Sequence, residues 1–255
     1  MGTKPKRLKS DYAERAYRAL GAEKGLISFQ VQVKETDLLI QARKDLRAPA
    51  YQAVLRYRYQ LESYLQDHPD FFHSLMPVAW DDFAPALVKE MMRAAQIAGV
   101  GPMAAVAGAM AEFVGRDLLP ESPEVIVENG GDLFIQIPRE VKIAIFAGPS
   151  PLSLRIGLKI SGAAEGLGVC TSSGTVGPSL SFGKADAVCL LSPSTALADA
   201  AATAVGNVVK SAADLGAGLE RAEGIEGVTG AVLIVGEKMG AWGGVELFEI
   251  KSGTP

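Results

Sequence analysis

The chain has 255 residues, 48% of them apolar and 21% charged, and a formal net charge of −4. That length can bury a sizeable core, and the balance is ordinary for a soluble globular protein. No run approaches 18 uninterrupted apolar residues, and the basic N-terminus has no apolar stretch behind it, so neither a membrane span nor a secretory signal is predicted.

Charge is unevenly spread. The first 60 residues carry 13 Lys and Arg against 6 Asp and Glu, and the remainder carries 12 against 23. Such a basic part can touch nucleic acid or an acidic partner. The stronger reading is that Arg43, Lys44, Arg47, Arg56 and Arg58 lie on solvated turn and helix faces, which leaves nucleic acid the weakest of the partners considered. The two cysteines, Cys170 and Cys189, sit in apolar settings without CxxC or Cys/His spacing. Buried free thiols of this kind fit a reducing cytoplasm.

In chain order, the first two dozen residues are polar and read as a basic arm, 1–24, or a short helix. LISFQVQV (26–33) and TDLLIQA (36–42) are β-rich and joined by Lys34-Glu35, which predicts a hairpin. Val54, Tyr57, Leu61 and Leu65 recur at helical spacing, and Pro69 stops that helix. FFHSLMPVAW reads as a connection covering the core. A helix then follows from an N-cap at Asp81 or Asp82 to a stop at Gly99. The next opens near Pro102, ends at Pro120, and carries Ala104, Ala105, Ala107, Gly108, Ala109 and Ala111, small enough for close packing and for a homodimer interface. Beyond it come short strands (VIVEN, DLFIQI, VKIAIFA, LRIGLKI, GVCTSS, ADAVCLL), a helix capped by Ser194 or Thr195, a short helix at DLGAGLERAEG, and a closing strand, glycine turn and strand. Strands and helices are segregated, which predicts an α+β fold with a mainly antiparallel sheet and packed helices. Residues 1–255 are read as one domain, with 26–98 its N-terminal hairpin and helices and 99–255 a core holding the site.

Three stretches between Glu128 and Asn207 can carry chemistry. Asn129-Gly130-Gly131-Asp132 is a tight-hairpin signal. Its glycines also let backbone N–H groups approach an anion, and Asn129 and Asp132 offer an amide and a carboxylate. Gly168 to Gly177, with Thr171, Ser172, Ser173 and Gly174, alternates hydroxyls and glycines; it reads either as a flexible turn or as a wrap for phosphate oxygens. It is neither a P-loop nor a GxSxG elbow. Asp199 and Thr203 share one face of an alanine-rich helix. A buried carboxylate there needs a partner: a basic residue, backbone N–H groups, or a hard divalent cation held by Asp199, Thr203 and nearby carbonyls. The only histidines, His68 and His73, are wrongly spaced for one helical face, which argues against a zinc site or a histidine-based triad.

Taken in order, Asn129-Gly130-Gly131-Asp132, Thr171-Ser172-Ser173-Gly174, and Ala198-Asp199-Ala200 with Thr203 resemble the N-x-GGD, TSG and ADA-x-A-T motifs of the ApbE superfamily of flavin transferases. The resemblance covers about residues 99–207. The layout is most similar to an uncharacterised bacterial and archaeal branch of it. It implies an ApbE-like α+β fold and a pocket for a small phosphate-bearing ligand, FAD, FMN or a related nucleotide. Asn129, Asp132, Ser172, Ser173 and Gly174 would line it, with Asp199 and Thr203 near Mg²⁺. It does not imply flavin transfer. Those enzymes carry a His-x-x-Asp-Pro-x-Thr-Gly segment between the TSG loop and the ADA helix, whereas TVGPSLSFGKADAVCLLSPST has no histidine and no Asp-Pro; Lys184 is the nearest basic group. Two readings therefore compete: a ligand-binding protein or enzyme with its reaction unassigned, and a non-catalytic binding or assembly module on the same fold.

Overall fold

The structure is a computed structural model that describes residues 23–174 and 183–250; the basic arm lies outside these but for Glu23 and Lys24. β1 (Ile27–Val33) and β2 (Thr36–Ala42) form the expected hairpin, with Lys34 in the left-handed region at φ 52°. α1 (Arg47–Asp67) follows, and Pro69 opens a further short helix, α2 (Pro69–His73). Proline suits a first helical turn, where its missing N–H has no acceptor to lose. α3 (Ala86–Ala98) ends on Gly99 at φ 72°, as predicted. Its N-cap is Pro85, not Asp81 or Asp82; Asp81 instead accepts from the Phe83 N–H in a local turn. The connection before α3 covers the core only in part, through Phe71 and Val78. Phe71 is buried, but Phe72, Leu75, Met76 and Phe83 face solvent, because the single turn of α2 has only one inward position.

A 3-10 turn (Pro102–Ala105) leads into α4 (Val106–Leu118). Then come β3 (Val125–Asn129), β4 (Asp132–Ile137), β5 (Val141–Ala144), β6 (Ile156–Ile160), β7 (Ala163–Ser172) and β8 (Ala187–Ser192). α5 (Thr195–Val208), α6 (Leu215–Glu223), β9 (Gly230–Val235), β10 (Lys238–Gly243) and β11 (Glu246–Glu249) complete the described chain. Eight strands make one antiparallel sheet in the order β1-β2-β3-β4-β7-β8-β9-β10, and β11-β6-β5 make a second. The closing hairpin is thus β9–β10 alone, while β11 crosses to the small sheet.

The alternation of apolar residues along each strand divides the core. Val127, Phe134, Val188, Leu190 and Leu233 face a layer of helices, whereas Ile126, Ile135, Val169, Cys189 and Val232 face the small sheet. The helix-side cluster takes in the inner faces of α1, α3, α4 and α5. The small residues of α4 are spent here: Gly108, Ala109 and Ala111 are buried against neighbouring elements. That overturns the expectation that this helix offers an interface to a second chain. The basic residues of the N-terminal part are paired with acids (Arg43–Glu124, Lys44–Glu121, Arg47–Asp45, Arg56–Asp117, and Arg58 with Glu35 and Glu62). Arg58 is mostly buried, unlike the solvated face predicted for it. Among the described residues no single helix is long and apolar enough to cross a membrane.

Candidate functional site

Two glycines set the site by removing side chains where backbones meet. A Cβ on Gly168, in β7, would lie 2.4 Å from the Thr195 Cα, and one on Gly108, in α4, would lie 2.4 Å from the Thr195 carbonyl oxygen. The first turn of α5 therefore rests directly on both β7 and α4. One turn further along α5, Asp199 reaches the N-terminus of α4. Its Oδ2 accepts from the Gly108 N–H at 2.9 Å, and the Ala107 N–H bonds to the same carboxyl. Ala105, the N-cap of α4, supplies no side-chain acceptor, so Asp199 caps that helix from a distance. Glu112 of α4 returns the interaction. It accepts from the Thr195 N–H at 2.7 Å and pairs with Arg116 at 2.8 Å, while Ser194 caps α5 through the Leu197 N–H.

The Asn129–Asp132 stretch is a two-residue hairpin turn: Asn129 pairs with Asp132, and Gly130 and Gly131 take φ of 73° and 138°. Only glycine adopts both without strain. The turn delivers Asn129 and Asp132 to the helix side of the sheet at the end where α4 begins. The Asn129 amide donates to the Ala107 carbonyl at 3.1 Å, so this side chain helps anchor α4.

The Thr171–Gly174 stretch divides. Thr171 and Ser172 belong to β7, whose alternation sends them to opposite faces. The Thr171 hydroxyl bonds Cys189 in the cluster under the small sheet. It is turned away from Asp199, contrary to the expectation of a shared hydroxyl wrap, and Thr171 serves Asp132 through its backbone N–H. Ser172 is on the helix side with Cys170, and its Oγ is shielded from solvent without a hydrogen-bond partner. Ser173 is half-buried, while Gly174 is exposed and donates its N–H to the Ala185 carbonyl at 2.9 Å. The end of the stretch from residue 175 lies outside the described residues.

Asp132, Cys170 and Asp199 meet at this corner. Burial, reinforced by the charge of Glu128, raises the Asp132 carboxyl to about 7 against the pull of the Cys170 thiol and the Thr171 N–H. Burial and then the nearby Asp132 push Asp199 well up, although the two α4 amides pull it down. The Cys170 thiol is raised by burial and by both aspartates, so it remains a protonated donor; its Sγ also lies 3.4 Å from the Thr195 carbonyl. No Lys or Arg among the described residues pairs with either aspartate, and Lys184 is exposed at the far end of α5, its N–H on the Val209 carbonyl. Along α5, Asp199, Thr203 and Asn207 form a half-buried polar stripe on an otherwise buried helix.

Among the described residues no three His, Cys, Asp or Glu side chains form a metal cluster. Two carboxylates with a hydroxyl do fit Mg²⁺, which keeps several waters and uses one or two carboxylates together with substrate phosphates. His68 and His73 are elsewhere; His68 is stacked on Tyr64 at 4.0 Å. The sequence marks Gly108 for close packing, Gly168 as the start of the hydroxyl stretch and Cys170 as a buried thiol, but places none of them at this corner, and nothing in it marks Glu112. A glycine in mid-strand, marking close backbone approach, was the available sign for Gly168.

The fold is that of an ApbE-like protein. Apo flavinyl transferase ApbE of Pseudomonas stutzeri superposes with a TM-score of 0.56 at 13% identity, covering 86% of this chain and 94% of that one. A single-residue variant of flavin transferase ApbE from Vibrio cholerae gives 0.57 at 12% identity, covering 86% and 97%. The model of the family described as AbpE bacteria matches residues 18–238, and the chain belongs to that family. A UPF0280 protein of Methanococcus aeolicus is 40% identical over 224 residues, covering 86% of this chain and 90% of that protein. One from Methanopyrus kandleri is 43% identical over 226 residues, covering 86% and 91%.

Proposed function

We propose that the chain binds a flavin nucleotide, FAD or FMN, or a related phosphate-bearing ligand, together with Mg²⁺, at the corner between the Asn129–Asp132 turn, the end of β7 and α5. One observation carries this reading: Asp132 and Asp199 lie side by side, half-buried and poorly solvated, with no basic partner among the described residues. A carboxylate pair of that kind is costly unless a cation offsets it. Asp132, Asp199 and the Thr203 hydroxyl would hold Mg²⁺, which when bound neutralises phosphate oxygens. Ser172, with its Oγ unpartnered, would donate to the ligand. Asn129 and the α4 amides act behind these, fixing Asp199.

The flavin part of the reading is drawn from the structural neighbours, both flavin transferases, whose identity to this chain is low. Thermal denaturation with FAD, FMN, ADP and inorganic phosphate, each with and without MgCl₂, tests it. A ligand at about 100 times its dissociation constant adds about 2.7 kcal/mol. That corresponds to a rise of several degrees for a chain of this size. The rise should require Mg²⁺ and vanish in Asp199→Asn. No Mg²⁺-dependent rise with any of the four ligands would refute the proposal.

A further inference from the structure

We infer that Cys170 is a positioning residue of the ligand corner: its buried S–H holds the Asp132 carboxylate in the place where a cation would meet it. The inference rests on Mg²⁺ and a phosphate-bearing ligand occupying that corner. Cys170 and Asp132 are direct cross-strand partners on β7 and β4, so their side chains leave the sheet on one face, about 5 Å apart at Cβ. The thiol bonds the Asp132 side chain, and the Thr171 N–H bonds the same carboxyl. Both donors therefore come from consecutive residues of one strand. A carboxylate offers about four lone-pair sites. Two are met from β7, which fixes the group's orientation, and the others remain for a ligand. The thiol is held in turn, with its Sγ 3.4 Å from the Thr195 carbonyl oxygen in the first turn of α5.

A buried cysteine ordinarily acts as a small apolar filler. Cys189 fits that description, packed in the apolar cluster under the small sheet. Cys170 is 0% exposed, yet it belongs to neither apolar cluster of the core. Its sulfur instead meets Asp132 and the Thr195 carbonyl, and it feels the charge of Asp199. A thiol is a weak donor, but an ionised acceptor roughly doubles the strength of a hydrogen bond. At this depth water does not compete for the S–H.

Alanine and serine are nearly equal in size and both smaller than cysteine. Cys170→Ala and Cys170→Ser thus lose the same packing and differ in the donor. Mn²⁺, which takes the same oxygen ligands as Mg²⁺, is titrated into the metal-free chain with and without FAD, and electron paramagnetic resonance reads the free ion. Cys170→Ala should bind Mn²⁺ about tenfold more weakly than wild type, the lower end of what losing a ligand's hydrogen-bonding partner does to metal affinity. Cys170→Ser should bind nearly as wild type, while chemical denaturation shows both variants destabilised alike. Cys170→Val fills the sulfur's volume without a donor and should bind as weakly as Cys170→Ala. Tight binding in Cys170→Val, or a serine variant no better than the alanine one, makes Cys170 a packing residue and overturns the inference; if wild type still binds Mn²⁺, the ligand reading stands. A wild type that holds no Mn²⁺ in either condition removes that reading, and the role of Cys170 with it.

Discussion

Two carboxylates tie α4 to α5, and only one of them is balanced. Glu112 bonds the first N–H of α5 and carries Arg116 beside it. Asp199 bonds amides in the first turn of α4, next to Asp132, and has no described cation. Capping explains both positions, so capping alone would predict similar surroundings. The missing cation at the Asp199 end is what a helix-packing role leaves over, and it is why that end is read as the ligand corner.

The largest expected effect comes from separating the two ends. Gly168→Ala forces α5 off β7, because the new methyl meets backbone rather than a movable side chain. Overpacking of this kind costs about 3 kcal/mol, and chemical denaturation should show it. Ligand binding should fall with it, since Asp199 rides on the displaced helix. A stability change within about 0.5 kcal/mol would mean the two ends are not mechanically joined.

Next in size is the response of the metal-free protein to pH. The Asp132 carboxyl titrates near 3.8 when unfolded and at about 7 when folded. Between those values the folded chain holds a proton that the unfolded chain lacks. Stability from this group is therefore fully present below pH 3.8 and is lost as pH rises through 7. Asp199 acts in the same direction. The shift corresponds to at most about 4 kcal/mol, and partial exposure of Asp132 reduces it to roughly 2. Asp132→Asn should flatten the decline between pH 4 and 7, and Mg²⁺ should reverse it. A decline that is unaltered in Asp132→Asn would assign it to another group.

Much of the fold was legible because it rests on local patterns. The β-rich run TDLLIQA, the continuous apolar run in ADAVCLL, Ser194 before α5 and Gly99 after α3 each act through adjacent residues. The site was legible as a list of residues but not as directions. Thr171 and Ser172 look equivalent in sequence, and only their place in β7 sends one hydroxyl to Cys189 and the other to the helix side. For Asp199 the sequence leaves a base, backbone N–H groups or a cation open as partner; its bond to Gly108 spans 91 residues and leaves no mark near either. Likewise the small face of α4 could not be assigned to a partner chain or to α5 without the sheet that stacks them.

A smaller effect compares the two carboxylates directly. Asp199→Asn keeps an oxygen for the Gly108 N–H and removes a carboxyl whose ionisation burial and Asp132 oppose, so the metal-free protein at pH 8 should be about 1 kcal/mol more stable than wild type. Asp199→Ala loses the cap and should cost about 1 kcal/mol. Glu112→Gln also keeps its acceptor but strips Arg116 of its partner, and should cost about 1 kcal/mol. Amide substitution thus has opposite signs at the two ends in denaturation experiments. Equal signs would mean that Asp199 has a cationic partner of its own.

The smallest expected effect concerns the histidines. His68 lies in the turn after α1, stacked on Tyr64 and 3.9 Å from Asp81, and His73 ends α2. Both are solvent-exposed and belong to neither end of the α4–α5 contact. His68→Ala removes one ring stack and one weak ion pair, and His73→Ala removes an edge contact with Phe72. Each should change stability by no more than about 0.5 kcal/mol. Neither should alter Mg²⁺-dependent nucleotide binding as read by calorimetry. Loss of that binding in either variant would move the ligand from the unbalanced corner to the α1–α2 turn, and Asp199 would then be a capping residue of the same kind as Glu112.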